Sequence, residues 1–178
     1  MQGLFLIVIG AILIVFIIWE FNKFVELKNK VKHSKSSIEV YLNQRFDLIP
    51  NLNSCVKGYM KHEGETLAKM SIARLQFAKN PDLKLGASLT HDLYRIMGVA
   101  ENYPELKASE HFLMLQRELI KMESQLQAAR RIYNGDVTLY NTAISTFPAI
   151  IVSKLFGFKE MELFEIEEYK KENVDVDL

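Results

Sequence analysis

The stretch that decides the fold is FLMLQRELIKMESQLQAARRIYNGDVTLYNTAISTF, residues 112–147. Its apolar residues recur at spacings of three and four, the period of an α-helix with one buried face. The residues of that face are Phe112, Leu115, Leu119, Met122, Leu126, Ala129, Tyr133, Val137, Tyr140, Ile144 and Phe147. Two successive steps of four, from Ala129 to Val137, resemble a coiled-coil stutter, which locally unwinds a supercoil. The pattern predicts one long helix.

Three more segments of the chain carry the same period. The first runs through residues 22–49 without glycine or proline, and the second begins near Asp47, a plausible N-cap that leaves Pro50 in the first turn. The third covers residues 83–102, after the turn sequence Asn80-Pro81-Asp82. Their inner faces comprise Phe24, Leu27, Val31, Ser34, Ile38 and Tyr41, then Leu52, Val56, Tyr59, Leu67, Met70 and Phe77, then Leu85, Leu89, Leu93, Ile96, Ala100 and Tyr103.

These segments predict an all-α fold, because no run of residues alternates with period two for long enough to form a strand. Four antiparallel helices with short connections form a four-helix bundle. We expect this bundle over residues 23–158, where AIIVSKLFGF, residues 149–158, adds a short apolar helix that ends at Gly157.

The amino-terminal stretch LFLIVIGAILIVFIIW, residues 4–19, has no charged side chain in sixteen residues. As a helix it is about 24 Å long, and flanking residues extend it towards the roughly 30 Å of a bilayer core. A cleaved signal peptide needs a basic start and small residues at the cleavage site. This chain has neither, so we expect residues 1–22 to be a transmembrane anchor that continues into the first bundle helix.

The charges that flank this stretch predict its orientation. Five lysines follow it between Lys23 and Lys35, and none precedes it. Because basic flanks stay in the cytoplasm, we expect a single-pass protein of the bacterial cytoplasmic membrane with a short outer amino terminus and a cytoplasmic domain. Trp19, Lys23 and Lys28 are the residues that we expect at the membrane surface, in contact with lipid.

Composition argues against several classes of protein. With 22 basic and 22 acidic residues the chain has no net charge, and it therefore lacks the electrostatic signature of a nucleic-acid binder. The single cysteine, Cys55, cannot form an intramolecular disulfide. His62-Glu63 begins like a zinc-protease helix, but Thr66 stands where the second histidine is needed. We find no phosphate loop and no nucleophile elbow, and predict no enzyme activity, metal or cofactor.

Residues 159–178 carry eight acidic and three basic side chains. A charged terminus usually stays in water, so we interpret this segment as a solvated acidic tail. The alternative is that it binds a basic partner, such as the lysine-rich segment of a neighbouring chain.

A set of polar residues stands out on the helices. Tyr133-Asn134 recurs as Tyr140-Asn141 seven residues later, and Arg130-Arg131 lies immediately upstream. Arg45 and Asp47 lie where the first bundle helix ends. One interpretation is structural: the hydroxyls, amides and charges satisfy helix ends inside the bundle. The other is a ligand site.

Several motifs, taken in order, make this chain resemble the LemA family. They are RFDLIPNL at 45–52, VKGYMKHE at 56–63, AENYPELKASEHFLMLQRELIKMESQL at 100–126, ARRIYN at 129–134, YN at 140–141, FP at 147–148 and LFGF at 155–158. The resemblance implies a single-pass bacterial membrane protein with a cytoplasmic four-helix bundle, and brings no established catalytic activity. Many members read VDF near the carboxyl end, where this chain has VDVDL, residues 174–178.

Together these observations predict a membrane-anchored interaction or scaffold module that is not an enzyme. Its expected partners are membrane lipid and either further copies of itself or another membrane protein, since tethering raises the effective concentration of neighbours. The alternative function is an enzyme or small-ligand protein that uses the Tyr/Asn/Arg cluster.

Overall fold

A computed structural model describes residues 1–59 and 64–164, and within them every regular element is helical. The helices of this part of the chain are α1 (Gln2–Phe46), α2 (Ile49–Val56), α3 (Gly64–Lys79), α4 (Leu83–Ala100), α5 (Pro104–Lys107), α6 (Glu110–Ser145) and α7 (Ala149–Phe156). The predicted all-α class is confirmed, and α6 is the long helix expected from residues 112–147.

Helix α1 begins in the apolar amino-terminal stretch and continues without a break to Phe46. By length and composition it is the one helix of the described residues that is able to cross a membrane. Side chains of the apolar stretch are exposed, for example Leu13 and Trp19, whereas Phe24 is completely buried. The amino-terminal part of α1 therefore fits a membrane anchor, and its later part belongs to a protein core.

The described residues divide into two compact units. The first unit consists of residues 1–36 and 130–164, and the second of residues 37–59 and 64–129. Helices α1 and α6 contribute residues to both units.

The core of the second unit forms where three helices meet. The rings of Phe46 and Phe77 pack edge to face with centroids 5.2 Å apart. Gly86 of α4 lies so close that an added Cβ atom would stand 3.1 Å from both Leu42 and Phe77. Glycine at this position therefore lets α4 approach α1 and α3.

The core of the first unit joins α1 to the end of α7 through aromatic rings. Phe21 packs edge to face against Phe156 and Phe158, with centroids 5.0 Å and 5.6 Å away. Phe24 contacts Phe158 in the same way at 5.2 Å. Helix α7 ends at Gly157, as predicted, because the positive φ of 72° suits a residue without Cβ.

Three sequence interpretations need correction. Pro50 lies in the first turn of α2 as predicted, but the N-cap is Leu48, and Asp47 instead pairs with Arg74 at 2.7 Å. Phe147 is 79% exposed because α6 ends at Ser145 and the helical period no longer applies. Tyr59 is also exposed, since it lies beyond the end of α2.

A fragment that begins at Glu20 should be more stable than one that begins at Lys23. The shorter fragment lacks Phe21 and its two ring contacts, each of which contributes about 0.5 to 1.5 kcal/mol beyond area burial. Urea unfolding followed by circular dichroism measures the difference. In the longer fragment, Phe21→Ala should reproduce the loss, whereas Asn22→Ala, at an exposed position, should not. Equal stability of the two fragments would contradict the ring cluster.

Candidate functional site

The tyrosine and asparagine repeat of α6 binds the chain segment that follows α7. This segment, residues 158–164, has neither helix nor strand. Four side chains of α6 donate hydrogen bonds to its backbone, those of Tyr133, Asn134, Tyr140 and Asn141, all within the first unit. The tyrosine and asparagine repeat found in the sequence therefore binds residues 158–164 of the same chain.

Each asparagine forms a pair of hydrogen bonds with one residue of the segment. Asn141 donates from Nδ2 to the carbonyl oxygen of Met161 at 2.8 Å and accepts from the Met161 N–H at 2.9 Å. Asn134 does the same with Phe164, at 3.1 Å and 2.7 Å. A side-chain amide thus replaces the backbone partner that a strand would provide. We call the side chains of Asn134 and Asn141, which bind Phe164 and Met161, the asparagine clamp.

The spacing of the clamp explains the seven-residue repeat. Seven residues of α-helix rise about 10.5 Å, and three residues of extended chain span about 10 Å. Asn134 and Asn141 therefore match Phe164 and Met161, which are three residues apart. The later helix residue binds the earlier segment residue, so the segment runs antiparallel to α6.

The two tyrosines add a second row of bonds with the same spacing. Tyr133 donates its hydroxyl to the carbonyl of Glu162 at 3.0 Å, and Tyr140 donates to Lys159 at 3.1 Å. Both rings are buried. Burial raises the pKa of Tyr140 above its usual value of about 10. Burial also raises the pKa of Tyr133, with a further contribution from the negative charge of Glu162.

Raising the pH above about 10 should therefore weaken the hold on the segment. The unfolded chain releases these tyrosine protons at a lower pH than the folded chain does. The stability that the two hydroxyls contribute is complete below their unfolded pKa and is lost as the pH rises through their folded pKa. Urea unfolding at a series of alkaline pH values measures this loss. The double variant Tyr133→Phe with Tyr140→Phe should lose less stability at alkaline pH than the unmodified chain. Tyr59→Phe, at an exposed position, should lose as much as the unmodified chain.

The two arginines upstream of the repeat have different surroundings. Arg130 places its guanidinium carbon 4.6 Å from the centre of the Phe164 ring, a cation–π contact that covers the end of the segment. Arg131 is exposed. Of the eight residues in the predicted cluster, five therefore contact one segment.

Arg45 and Asp47, the remaining cluster residues, have other partners in the second unit. Arg45 pairs with Glu123 at 2.8 Å and lies over the ring of Tyr94. Asp47 pairs with Arg74. The sequence contained a signal for Glu123 that we missed. Glu123 follows Leu119 by four residues and so lies near the inner face of the helix. A carboxylate at such a position needs a basic partner.

The segment that fills the clamp lies in the predicted acidic tail. The backbone of residues 159–164 is bonded to α6, whereas the charged side chains of this stretch, Lys159, Glu160 and Glu162, are exposed to solvent. Composition gave no signal, because backbone groups make these bonds whatever the side chains are. Residues 165–178 lie outside the described residues.

No metal site is evident in the part of the chain that the structure describes. Within residues 1–59 and 64–164 no three His, Cys, Asp or Glu side chains are grouped to hold an ion. His62-Glu63 lies outside this part. Cys55 is a free thiol that is partly exposed.

The residues expected at the membrane surface lie together at the end of the apolar stretch. Trp19 is exposed, and the Lys23 ammonium lies 5.1 Å from the centre of its ring. Lys23 also pairs with the buried Glu20 at 3.5 Å. Lys28 is exposed one and a half turns later.

Comparison with known proteins gives some matches that cover most of this chain and others that cover about two fifths of it. The LemA family model matches residues 34–178. Protein LemA of Metamycoplasma hominis is 27% identical over 176 residues, which cover 96% of this chain and 80% of that protein. Magnetosome protein MamQ of Magnetospirillum gryphiswaldense is 29% identical over 72 residues, 40% of this chain and 26% of that protein. Magnetosome protein MamQ 2 of Paramagnetospirillum magneticum is 30% identical over 73 residues, with 41% and 27% covered.

Proposed function

We propose that this chain, which belongs to the LemA family, is a membrane-anchored interaction module that associates with further copies of itself and is not an enzyme. The observation that carries the proposal is an exposed apolar stripe on a helix of a chain that also has an anchor-like span. The stripe consists of Ile132 and Leu139 of α6, seven residues apart and 61% and 60% exposed.

The stripe lies in the unit that also contains the apolar stretch of α1. A single exposed apolar side chain needs no explanation, but Ile132 and Leu139 lie one above the other on α6, at the spacing of one position of a coiled-coil seam. Tethering by α1 would raise the local concentration of copies and favour a weak contact between them.

Charge provides a second argument for contact between copies. Five lysines lie between Lys23 and Lys35, and residues 165–178 contain six acidic and two basic residues. Opposite charges of this kind steer association and set its register more than they add affinity. We therefore expect the association to weaken as the salt concentration rises.

The rival function, an enzyme or small-ligand protein, requires the Tyr/Asn/Arg cluster to be available. The amides of Asn134 and Asn141 and the hydroxyls of Tyr133 and Tyr140 are instead bonded to the chain's own segment. Because these side chains already bind the chain's own segment, they support a structural role for the cluster. The magnetosome proteins are named for a cellular structure and not for a reaction, which agrees with a function set by location.

The mass of the full-length chain in mild detergent tests the proposal. We expect an oligomer, and Ile132→Lys with Leu139→Lys should reduce it to a monomer. The matched control is Thr138→Lys with Thr142→Lys, which adds the same charge to exposed polar positions of the same helix and should leave the oligomer intact. A monomeric parent chain, or equal effects of the two variants, would overturn self-association.

Reporter fusions after Leu178 test the proposed topology. A fluorescent protein should be active there and a periplasmic phosphatase inactive, because the five lysines after the span keep that side in the cytoplasm. Neutralising these lysines and adding lysines after Met1 should weaken or invert this result. Phosphatase activity of the unmodified fusion would overturn the orientation.

A further inference from the structure

Helix α7 presents an apolar face that no described residue covers. The face consists of Ile151 and Leu155, which are spaced by four residues and are 61% and 70% exposed. The opposite side of the helix, represented by Val152 and Ser153, is buried. Apolar side chains on the outward face of a packed helix indicate that something other than water covers them.

The position of α7 in the first unit relates this face to the apolar stretch of α1. Phe156 and Phe158 pack on Phe21, and Phe158 also packs on Phe24. Phe21 lies only two residues, or about 3 Å along the helix axis, beyond Trp19. Helix α7 is therefore attached at the level where α1 leaves its apolar stretch.

We propose that α7 lies in the membrane–water interface, with the face formed by Ile151 and Leu155 among the lipid acyl chains. This inference rests on the proposed anchoring by α1. Lipid is the occupant because the exposed side chains of the span end at Trp19, two residues before Phe21, which contacts Phe156 of α7. The two apolar surfaces therefore lie at adjoining depths.

The charges near α7 fit this arrangement. Lys154 is the single charged residue of the helix and is exposed beside the apolar face. Its long side chain reaches headgroups while its stem stays among apolar groups. Lys23, beside Trp19, offers a second cation at the same level. A helix that lies in the plane of a bilayer surface buries an apolar face and places cations near the headgroups, and α7 with Lys154 and Lys23 has both features.

Depth measurement on the full-length chain in vesicles of phosphatidylcholine with a minority of phosphatidylglycerol tests the proposal. Single cysteines replace Ile151, Leu155, Ile120 or Ile12 in a Cys55→Ser background, and each carries an environment-sensitive fluorophore. Lipids with a nitroxide high on the acyl chain should quench the label at Ile151 and at Leu155 at least about threefold more than the label at Ile120, since an interfacial helix inserts to this depth. Ile120 of α6 is the matched control because its exposed fraction, 69%, is close to the 70% of Leu155.

The label at Ile12 separates this inference from the anchoring on which it depends. Lipids with a nitroxide deep in the acyl chain should quench it. If they do not, the anchoring itself has failed. If Ile12 is quenched and Ile151 and Leu155 are instead reached by aqueous iodide as readily as Ile120, α7 lies in water and only the inference about α7 is overturned. Protection of both α7 labels from lipid and from iodide would mean that protein covers the face, which also overturns it.

Discussion

Glu123→Ala should lower the free energy of unfolding by about 3 kcal/mol, because it leaves a buried cation without its partner. The Nη1 atom of Arg45 donates to Oε2 of Glu123 at 2.8 Å, and Arg45 is only 1% exposed. A guanidinium cannot give up its proton at accessible pH, so the charge remains. The estimate lies at the low end of the range for buried pairs since the Glu123 side chain keeps 17% exposure.

The surroundings of Arg45 increase this dependence on Glu123. Its guanidinium carbon lies 4.9 Å from the centre of the Tyr94 ring, which covers one face of the group. Its Nε and Nη2 atoms are buried and have no hydrogen-bond partner among the described residues. Burial of an unpaired charge is far more costly than burial of a paired one.

Two comparisons make the measurement specific. Glu118→Ala removes a carboxylate on the same helix whose partner, Lys121, is exposed, so it should change stability by no more than about 0.5 kcal/mol. Arg45→Met combined with Glu123→Leu removes both charges and should destabilise less than Glu123→Ala alone. Urea unfolding of the fragment that begins at Glu20 measures all three variants. Equal losses for Glu123→Ala and Glu118→Ala would mean that water reaches Arg45.

Substitution of both clamp asparagines should release residues 159–164 from α6. The two asparagines make four bonds to a partly exposed segment, and each bond contributes about 0.5 to 1.5 kcal/mol net of the bonds to water that replace it. The double variant Asn134→Ala with Asn141→Ala should therefore lose about 2 to 6 kcal/mol of the free energy that holds the segment. Hydrogen exchange of the Met161 and Phe164 amides reports the loss directly.

Two further substitutions in the same region distinguish the loss of the hydrogen bonds to Met161 and Phe164 from a general loss of packing. Thr138→Ala lies between the two asparagines, removes only a bond to its own helix, and should leave exchange at Met161 and Phe164 unchanged. Asn141→Asp keeps the acceptor but not the donor, so Met161 should lose only part of its protection. If both alanine substitutions leave exchange and the melting temperature unchanged but abolish association with another protein, the asparagines are a binding site for a partner and not a clamp.

The sequence by itself determined the elements whose signals are local. Val31, Ser34 and Ile38 are buried on α1, as the spacing of three and four predicts, because the helical period fixes which side chains share a face. The same reasoning gave α6 from residue 112 and the end of α7 at Gly157. The apolar stretch of α1 needed no tertiary information, since its length and lack of charge were sufficient.

Only the tertiary structure decided which distant groups meet. Glu123 lies 78 residues from Arg45, and no period connects the two. Asp47 had the residue type of an N-cap, but a guanidinium on α3 competes for its carboxylate. The binding of residues 159–164 was hidden for a different reason: α6 holds them by backbone groups, which every residue has. Their acidic side chains indicated solvent, whereas the asparagine and tyrosine repeat on the other side of the contact carried the information.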